Sequence, residues 1–464
     1  MFSFIRFSGS EKNLPPATHL GEGVNLENIG EVIPLNLEDE VRKGHFGCFG
    51  TTRIGKTKLM EHIIAQDIQK GYNLIVIDPK GEVELFSKIV QVAYESKRLS
   101  ELMLLTPIYP QCSIKLDPLT YYYMPEEVVD HVVSGIKAKE EYFINVAYET
   151  TLVIVLSLIL FGKIKKEKPE LNFKVIKDRA SYPDLKKLKE ELEHIDFPEA
   201  AEEAKDILSS LEQILSSPQD FFAKVSSSLR TTLTALTAGS VGEVIGKARA
   251  NEFIRRFELG ERVILIVQTG SMLTRKTSHI VGRVLISMVQ SLVGRFFASS
   301  RKLNPPLCIH IDEGHNVLYL GIEELFNKGG GAGCWVHFYT QSIAQMEEAV
   351  GKEATRSILD NINTWVFMKV NHPETAQYVE KSTPIVRKFS PILSFGGGIS
   401  VREIEEPMVR ADRVLRLKPR QFILISYGRY FKGFTAEVLP PAVRVKFPEI
   451  RAVEEESTRL DNTI

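Results

Sequence analysis

The chain is short of cysteine, of tryptophan, of net charge and of long apolar runs. Its four cysteines, Cys48, Cys112, Cys308 and Cys334, stand far apart with no C-x-x-C pair. That spacing excludes a disulfide frame and a zinc finger, and predicts reduced thiols in the cytoplasm. A formal net charge of −1 over 464 residues excludes a uniformly basic nucleic-acid coat, though not a local basic channel. The best apolar run is Leu152–Phe161. It covers half of the ~20 residues a spanning helix needs, so it reads as a buried core helix. The N-terminus shows no signal-peptide pattern, and Met1–Phe7 is too short to anchor the chain.

What is present is an ordinary globular composition, 44% hydrophobic and 25% charged, in a chain long enough for two or three domains. Its organising stretch is Gly50-Thr51-Thr52-Arg53-Ile54-Gly55-Lys56-Thr57, which satisfies G-x-x-x-x-G-K-[ST] at every fixed position. A short apolar strand pattern, His45–Phe49, precedes it, and helically spaced apolar residues follow from Lys58. Such a loop turns backbone N–H groups and a helix N-terminus toward phosphate. Gly50 through Lys58 are therefore the expected nucleotide contacts, with Lys56 on the β and γ phosphates and the Thr57 hydroxyl on Mg²⁺.

Asn73–Asp78 is a continuous apolar run, as in a buried parallel strand, and ends in the turn Asp78-Pro79-Lys80-Gly81-Glu82. From about Pro125 to Glu252 helical spacing dominates. Leu185, Leu188, Leu192 and Ile195 make one stripe, and Ala204, Ile207, Leu208, Leu211 and Leu215 another. The lysine-rich connector at Lys163–Lys168 reads as a solvated loop or as a contact surface. Strands resume at Arg262–Gln268. Leu307–Ile311 then ends in Asp312-Glu313, an apolar strand running into two carboxylates. Asp312 is the expected second Mg²⁺ ligand and Glu313 the general base. Gln341, at the tip of the following strand, is expected to sense the γ-phosphate. Residues 1–40 read as irregular with one strand near Val32–Leu35, and residues 384–406 as a mobile loop. Gln421–Tyr427 and Phe434–Leu439 read as a closing hairpin, and the tail after Phe447 as disordered.

The alternation predicts an α/β fold: a RecA-like P-loop ATPase core with a mainly parallel sheet and an inserted all-α domain. The expected division is 1–120 (N-terminal segment and first half of the nucleotide-binding domain), 121–255 (all-α insertion), 256–445 (second half) and 446–464 (polar tail). A Glu directly after the strand-ending Asp favours the RecA-like branch. No Asn-Lys-x-Asp guanine signature is found, so ATP is preferred to GTP.

Taken in order, these residues resemble a known family. The P-loop from His45 to Leu59, the Asp78–Glu82 turn, Asp312-Glu313, the run Gly330–Gly333, Thr340-Gln341-Ser342 and Asp360–Thr364 resemble TraD-type conjugative coupling proteins. They are most similar to the subgroup encoded by integrative conjugative elements. The resemblance spans roughly residues 40–440. It implies a hexameric, DNA-translocating ATPase of type IV secretion, using ATP and Mg²⁺, with DNA in a central pore. It further implies relaxase and secretion-channel partners, and a place in the cytoplasm or at the inner face of the membrane. Two departures stand out. Most members begin with transmembrane helices and none is read here, so membrane contact is expected through partners or a missing anchor. Many members also have an arginine, reaching a neighbour's γ-phosphate, where this chain has Gly330. Lys328, Arg275, Arg283 and Arg356 are the candidate substitutes. Two rival readings remain: a cytosolic RecA-like DNA motor for partitioning, repair or packaging, and a non-motor adaptor that uses ATP to recruit substrates.

Overall fold

The computed structural model describes residues 16–28, 30–137, 141–195, 198–393 and 399–449. Met1–Phe7, the triplet Gly396–Gly398 and the tail beyond residue 449 lie outside them.

Its centre is an eleven-stranded sheet in the order β2-β1-β13-β12-β9-β3-β8-β7-β4-β6-β5. The strands are β1 (Ala17–Asn25), β2 (Ile33–Glu38), β3 (Phe46–Phe49), β4 (Asn73–Asp78), β5 (Leu102–Leu105), β6 (Ile264–Gln268), β7 (Leu307–Ile311), β8 (Cys334–Thr340) and β9 (Thr364–Phe367). After these come β10 (Ile385–Leu393), β11 (Ile399–Pro407), β12 (Gln421–Ser426) and β13 (Arg429–Thr435). From β9 to β5 every pairing is parallel. The remaining pairings, on the β9 side, are antiparallel.

The parallel strands are apolar without alternation because helices cover both faces. Leu74 and Val76 of β4 join one buried cluster with Leu59, Met60 and Ile63 of the helix Lys56–Gln69. Ile75 and Ile77 join the other, with Val284, Leu285 and Met288 of the helix Arg275–Ala298. The expected α/β core with a mainly parallel sheet is therefore present.

Between β5 and β6 the described segments over residues 125–258 form helices and no strands. Leu185, Leu188, Leu192, Ala204, Ile207 and Leu211 are buried, as their stripes predict. The neck of this region is stitched together. Leu116 bridges Asn251, Asp117 N–H donates to Ala250 O at 2.9 Å, and Asn251 Nδ2 donates to Asp117 O at 3.0 Å.

The apolar run at Leu152 extends further than the sequence reading allows. It belongs to a 25-residue helix, Glu141–Lys165, with a mean hydropathy of 2.0 over its most apolar window. Arg275–Ala298 is a second helix, of 24 residues and hydropathy 1.4, that passes the same length-and-composition test for crossing a membrane. The second is a core helix between sheet and insertion. In the first, no residue from Thr150 to Gly162 is exposed, and it packs on helices Pro125–Ser134 and Ala201–Leu215.

Three other expectations need correcting. Residues 17–38 form two strands, not one. Gly21 and Gly23 hide β1 from a propensity reading, yet glycine is required there: a Cβ on Gly21 would stand 1.9 Å from Phe434 O. The stretch 384–406, expected as a mobile loop, holds β10 and β11, paired antiparallel from Ile385↔Pro407 to Leu393↔Ile399. The closing hairpin turns at Tyr427-Gly428, both at positive φ (47° and 75°), so β13 begins at Arg429 and not at Phe434.

Candidate active site

Three neighbouring parallel strands deliver the site. β3, β8 and β7 lie side by side, and each ends at the same edge of the sheet. The loop after β3 is Gly50–Gly55, and it is held at its base. Gly50 N–H donates to Thr340 O at 3.1 Å, and Thr51 N–H to Lys369 O at 2.8 Å. Gly55 has φ +114°, a left-handed conformation that releases the chain into the helix Lys56–Gln69. Gly50 is enclosed by Ile54, Met368 and Lys56, with a Cβ there 2.9 Å from Ile54. Lys56 is 5% exposed, and its Nζ bonds Gly50 O at 2.7 Å and Thr51 O at 3.0 Å. Thr52 and Arg53 are exposed. Lys58 points elsewhere, to Glu61 at 2.9 Å and Glu84 at 2.7 Å.

From β7, Asp312 is 1% and Glu313 7% exposed. Asp312 Oδ1 accepts from Glu313 N–H at 2.9 Å. Glu313 holds a left-handed backbone, φ 46° and ψ 46°, uncommon for a non-glycine residue and a form of strain found at functional sites. From β8, Gln341 Nε2 reaches Glu313 Oε2 at 3.1 Å and Oε1 at 3.3 Å. Glu313 and Gln341, predicted as base and sensor, are thus in direct contact.

Sequence reasoning did not single out Lys80. It is placed by the β4 turn, where Asp78 accepts from the N–H groups of Lys80, Gly81 and Glu82 at 3.0, 3.1 and 2.6 Å. Lys80 Nζ then lies 3.0 Å from Asp312 Oδ2 and 3.1 Å from Glu313 Oε1. The sequence reading singled out the turn Asp78–Glu82 but gave Lys80 no role within it, and the pairing spans 232 residues.

These placements set the charges. Burial alone would raise the Glu313 carboxyl, but Lys80, Lys56 and the Gln341 amide outweigh it and hold it below its usual range. Burial lowers the Lys56 ammonium, against the pull of Glu313. Burial, reinforced by Asp312, pushes Asp78 up to about 6 although three N–H groups favour its charged form.

Among the described residues no group of three or more His, Cys, Asp or Glu is placed to hold a metal alone. Asp312 and the Thr57 hydroxyl suit Mg²⁺, which keeps waters and substrate phosphates in its shell and needs few protein oxygens.

The missing arginine has a steric reason. Gly330 lies in the helix Glu323–Ala332, packed onto the chain before β3, and a Cβ there would stand 2.2 Å from Lys43 O. Of the candidate substitutes, Lys328 pairs with Glu324 at 2.5 Å and Arg283 is 5% exposed. Arg275 and Arg356 are exposed and have no carboxylate partner among the described residues.

Residues 306–383 match the family model described as the TraM recognition site of TraD and TraG. Residues 19–240 match that of the helicase HerA central domain. No curated protein matches the chain in sequence. Among solved structures, the unbound bacterial conjugative coupling protein TrwBdeltaN70 matches with a TM-score of 0.61 at 16% identity, over 92% of each chain. The plasmid coupling protein TrwB with the ATP analogue ADPNP matches at 0.62 and 16%, over 94% of this chain and 98% of that one. VirB4 of Thermoanaerobacter pseudethanolicus matches at 0.51 and 10%, over 93% and 99%.

Proposed function

We propose that this chain, similar in fold to TrwB and matching over residues 306–383 the model of the TraM recognition site of TraD and TraG, is an ATP-hydrolysing DNA translocase, a coupling protein of conjugative type IV secretion. The observation that carries this reading is the meeting of the Lys56 loop, Asp312, Glu313, Gln341 and Lys80 at one sheet edge. TrwB has been solved with ADPNP and with ADP and Mg²⁺, which supports ATP and Mg²⁺ as the ligands here.

In this reading Gly50–Thr57 wrap the phosphates and Lys56 exchanges its carbonyl partners for phosphate oxygens. Thr57 and Asp312 would hold Mg²⁺, which would supply positive charge beside the phosphates. Glu313, ionised, accepts the proton of the attacking water, and Gln341 orients Glu313 and that water toward the γ-phosphate. Lys80 balances the two carboxylates. Of the four candidate cations, Arg275 and Arg356 are the exposed ones, and the role of acting on a neighbour's nucleotide falls to them. We further assign to the protein a homo-hexamer with DNA in its pore, relaxase and channel partners, and work in the cytoplasm or at the inner membrane face through those partners.

The test is steady-state ATP hydrolysis with and without DNA over a salt series. Several-fold stimulation that fades at high salt is the expected result, because phosphate contacts release counterions. A flat response together with a monomeric mass in the presence of ATP overturns the translocase reading.

A further inference from the structure

Arg283 is out of place in the helix Arg275–Ala298. It is 5% exposed, has no ion-pair or side-chain hydrogen-bond partner among the described residues, and its Nε is sealed from solvent unpaired. Burial alone pushes its guanidinium down, to about 10. A buried charge without a partner costs stability, so its retention calls for a reason. Its two terminal nitrogens are not among the sealed atoms. Arg283 lines two adjoining cavities, and one of them, of about 480 Å³, lies between this helix and the helical insertion.

The chemistry of that cavity is one-sided. Arg275, His279 and Arg283 recur every four residues along one helix face, and Lys276 and Lys137 join them. Opposite are the hydroxyls of Ser227, Ser228, Thr231 and Thr232, from the helix Ser227–Thr237. Residues from the first turns of both helices line the space. Among the described residues no carboxylate lines it. The adjoining cavity, which shares Arg283, is lined by Asp130, Glu347 and Glu348, yet none comes within ion-pair distance of the guanidinium.

We propose that this cavity is a phosphate-binding site at the seam of insertion and core, and that the phosphate it takes belongs to a nucleic-acid strand. The guanidinium supplies the fork that phosphate oxygens fit, and the hydroxyls complete the shell. Its position gives such a ligand a route to the chemistry. The helix follows β6, which pairs with β4 of the Asp78 turn. His279 and His315 influence each other's charge, and His315 Nδ1 lies 3.9 Å from Glu313 Oε2. The choice of strand over free phosphate rests on the translocase reading; the anion site itself does not.

The experiment uses the full chain carrying Lys56→Ala, so that the P-loop lysine contributes nothing, and adds either Arg283→Met or Arg275→Ala with Lys276→Ala. Inorganic phosphate is titrated against melting temperature, and a labelled oligo-dT against anisotropy over a salt series. Phosphate is expected to raise the melting temperature of the Lys56→Ala chain and to lose that effect in both added variants. Oligo-dT should bind about tenfold more weakly in them. Its salt slope should fall by about 1.4 when both Arg275 and Lys276 are removed. Arg283→Met should itself melt no lower than its parent, the opposite of what loss of a structural arginine does. A response to phosphate alone keeps the site and assigns it free phosphate. Equal phosphate and oligo-dT responses in all chains overturn the proposal, as does an Arg283→Met chain that melts well below its parent yet responds unchanged. DNA-independent hydrolysis by the unsubstituted chain, with the phosphate shift intact, would sink the translocase reading and leave this site standing.

Discussion

The helix Lys56–Gln69 has a charged cluster at each end, and the two are built on opposite principles. At its last turn Asp67 receives both terminal nitrogens of Arg42, at 2.6 and 2.7 Å, and His310 Nε2 at 2.9 Å. Arg42 also meets His337 Nε2 at 3.0 Å and Thr18 Oγ1 at 2.8 Å, and Lys70 and Tyr72 close over Asp39. Arg42, Asp67, His310 and His337 are all but fully buried. At its first turn Lys56 holds only backbone carbonyls, and Lys80 divides itself between two carboxylates. The rear cluster is made of fixed, mutual, bidentate partners. The front cluster is made of bonds that phosphate or a metal ion can take over. Burial of a paired charge is thus no mark of function in this molecule; the two clusters differ in whether their partners can be exchanged.

That contrast can be broken at either end. Lys56→Ala should lower ATP turnover by about 10³-fold or more, with no change in the urea midpoint, because phosphate contacts carry most of the transition-state stabilisation. Asp67→Ala should cost about 3–5 kcal/mol in urea unfolding by leaving Arg42 short of its main partner. A loss under 1 kcal/mol would show the rear cluster to be dispensable. Glu313→Gln should slow turnover by about 10²-fold or more while ATP still binds, as for loss of a general base; unchanged turnover would remove Glu313 from that role.

The smallest effect is on pH, and there the two ends take opposite signs. Arg42 and His310 overcome the burial of Asp67 and hold its carboxyl well below the usual range. Its stabilising effect is present above the unfolded carboxyl value and lost as pH falls below about 4. Asp78, raised to about 6, contributes fully only below the unfolded value of about 3.9, and that contribution is lost as pH rises through 6. Asp78→Asn should therefore flatten the decline in stability between about pH 4 and 6, and Asp67→Asn should flatten the acid limb. Parallel unfolding curves for all three chains would contradict both assignments.

The front cluster was legible because its parts are local. A P-loop is eight consecutive residues, and Asp312-Glu313 and Gln341 each end an apolar run. Lys80 was not, because its partners are 232 residues away and depend on β4 lying beside β7. The rear cluster left no trace, since Arg42, Asp67, His310 and His337 share no spacing. Strands β1, β10 and β11 were missed where glycines or dense charges mask the alternation. Gly330 was legible as a departure, but its cause, the close approach to Lys43 O, belongs to packing. Arg283 looked like any helical arginine until its burial was known.

The helix Arg275–Ala298 has a mechanical consequence. It is 72% buried over its most apolar window and belongs to the same apolar cluster as the sheet and the insertion. The insertion is therefore not a pendulum on a flexible string. Its neck is stitched at Leu116–Asn251, and it packs on the helix Arg275–Ala298, which follows β6 after a loop. Insertion and sheet share one buried apolar cluster through this helix, so a shift of either against the other has to disturb close packing rather than a loose linker.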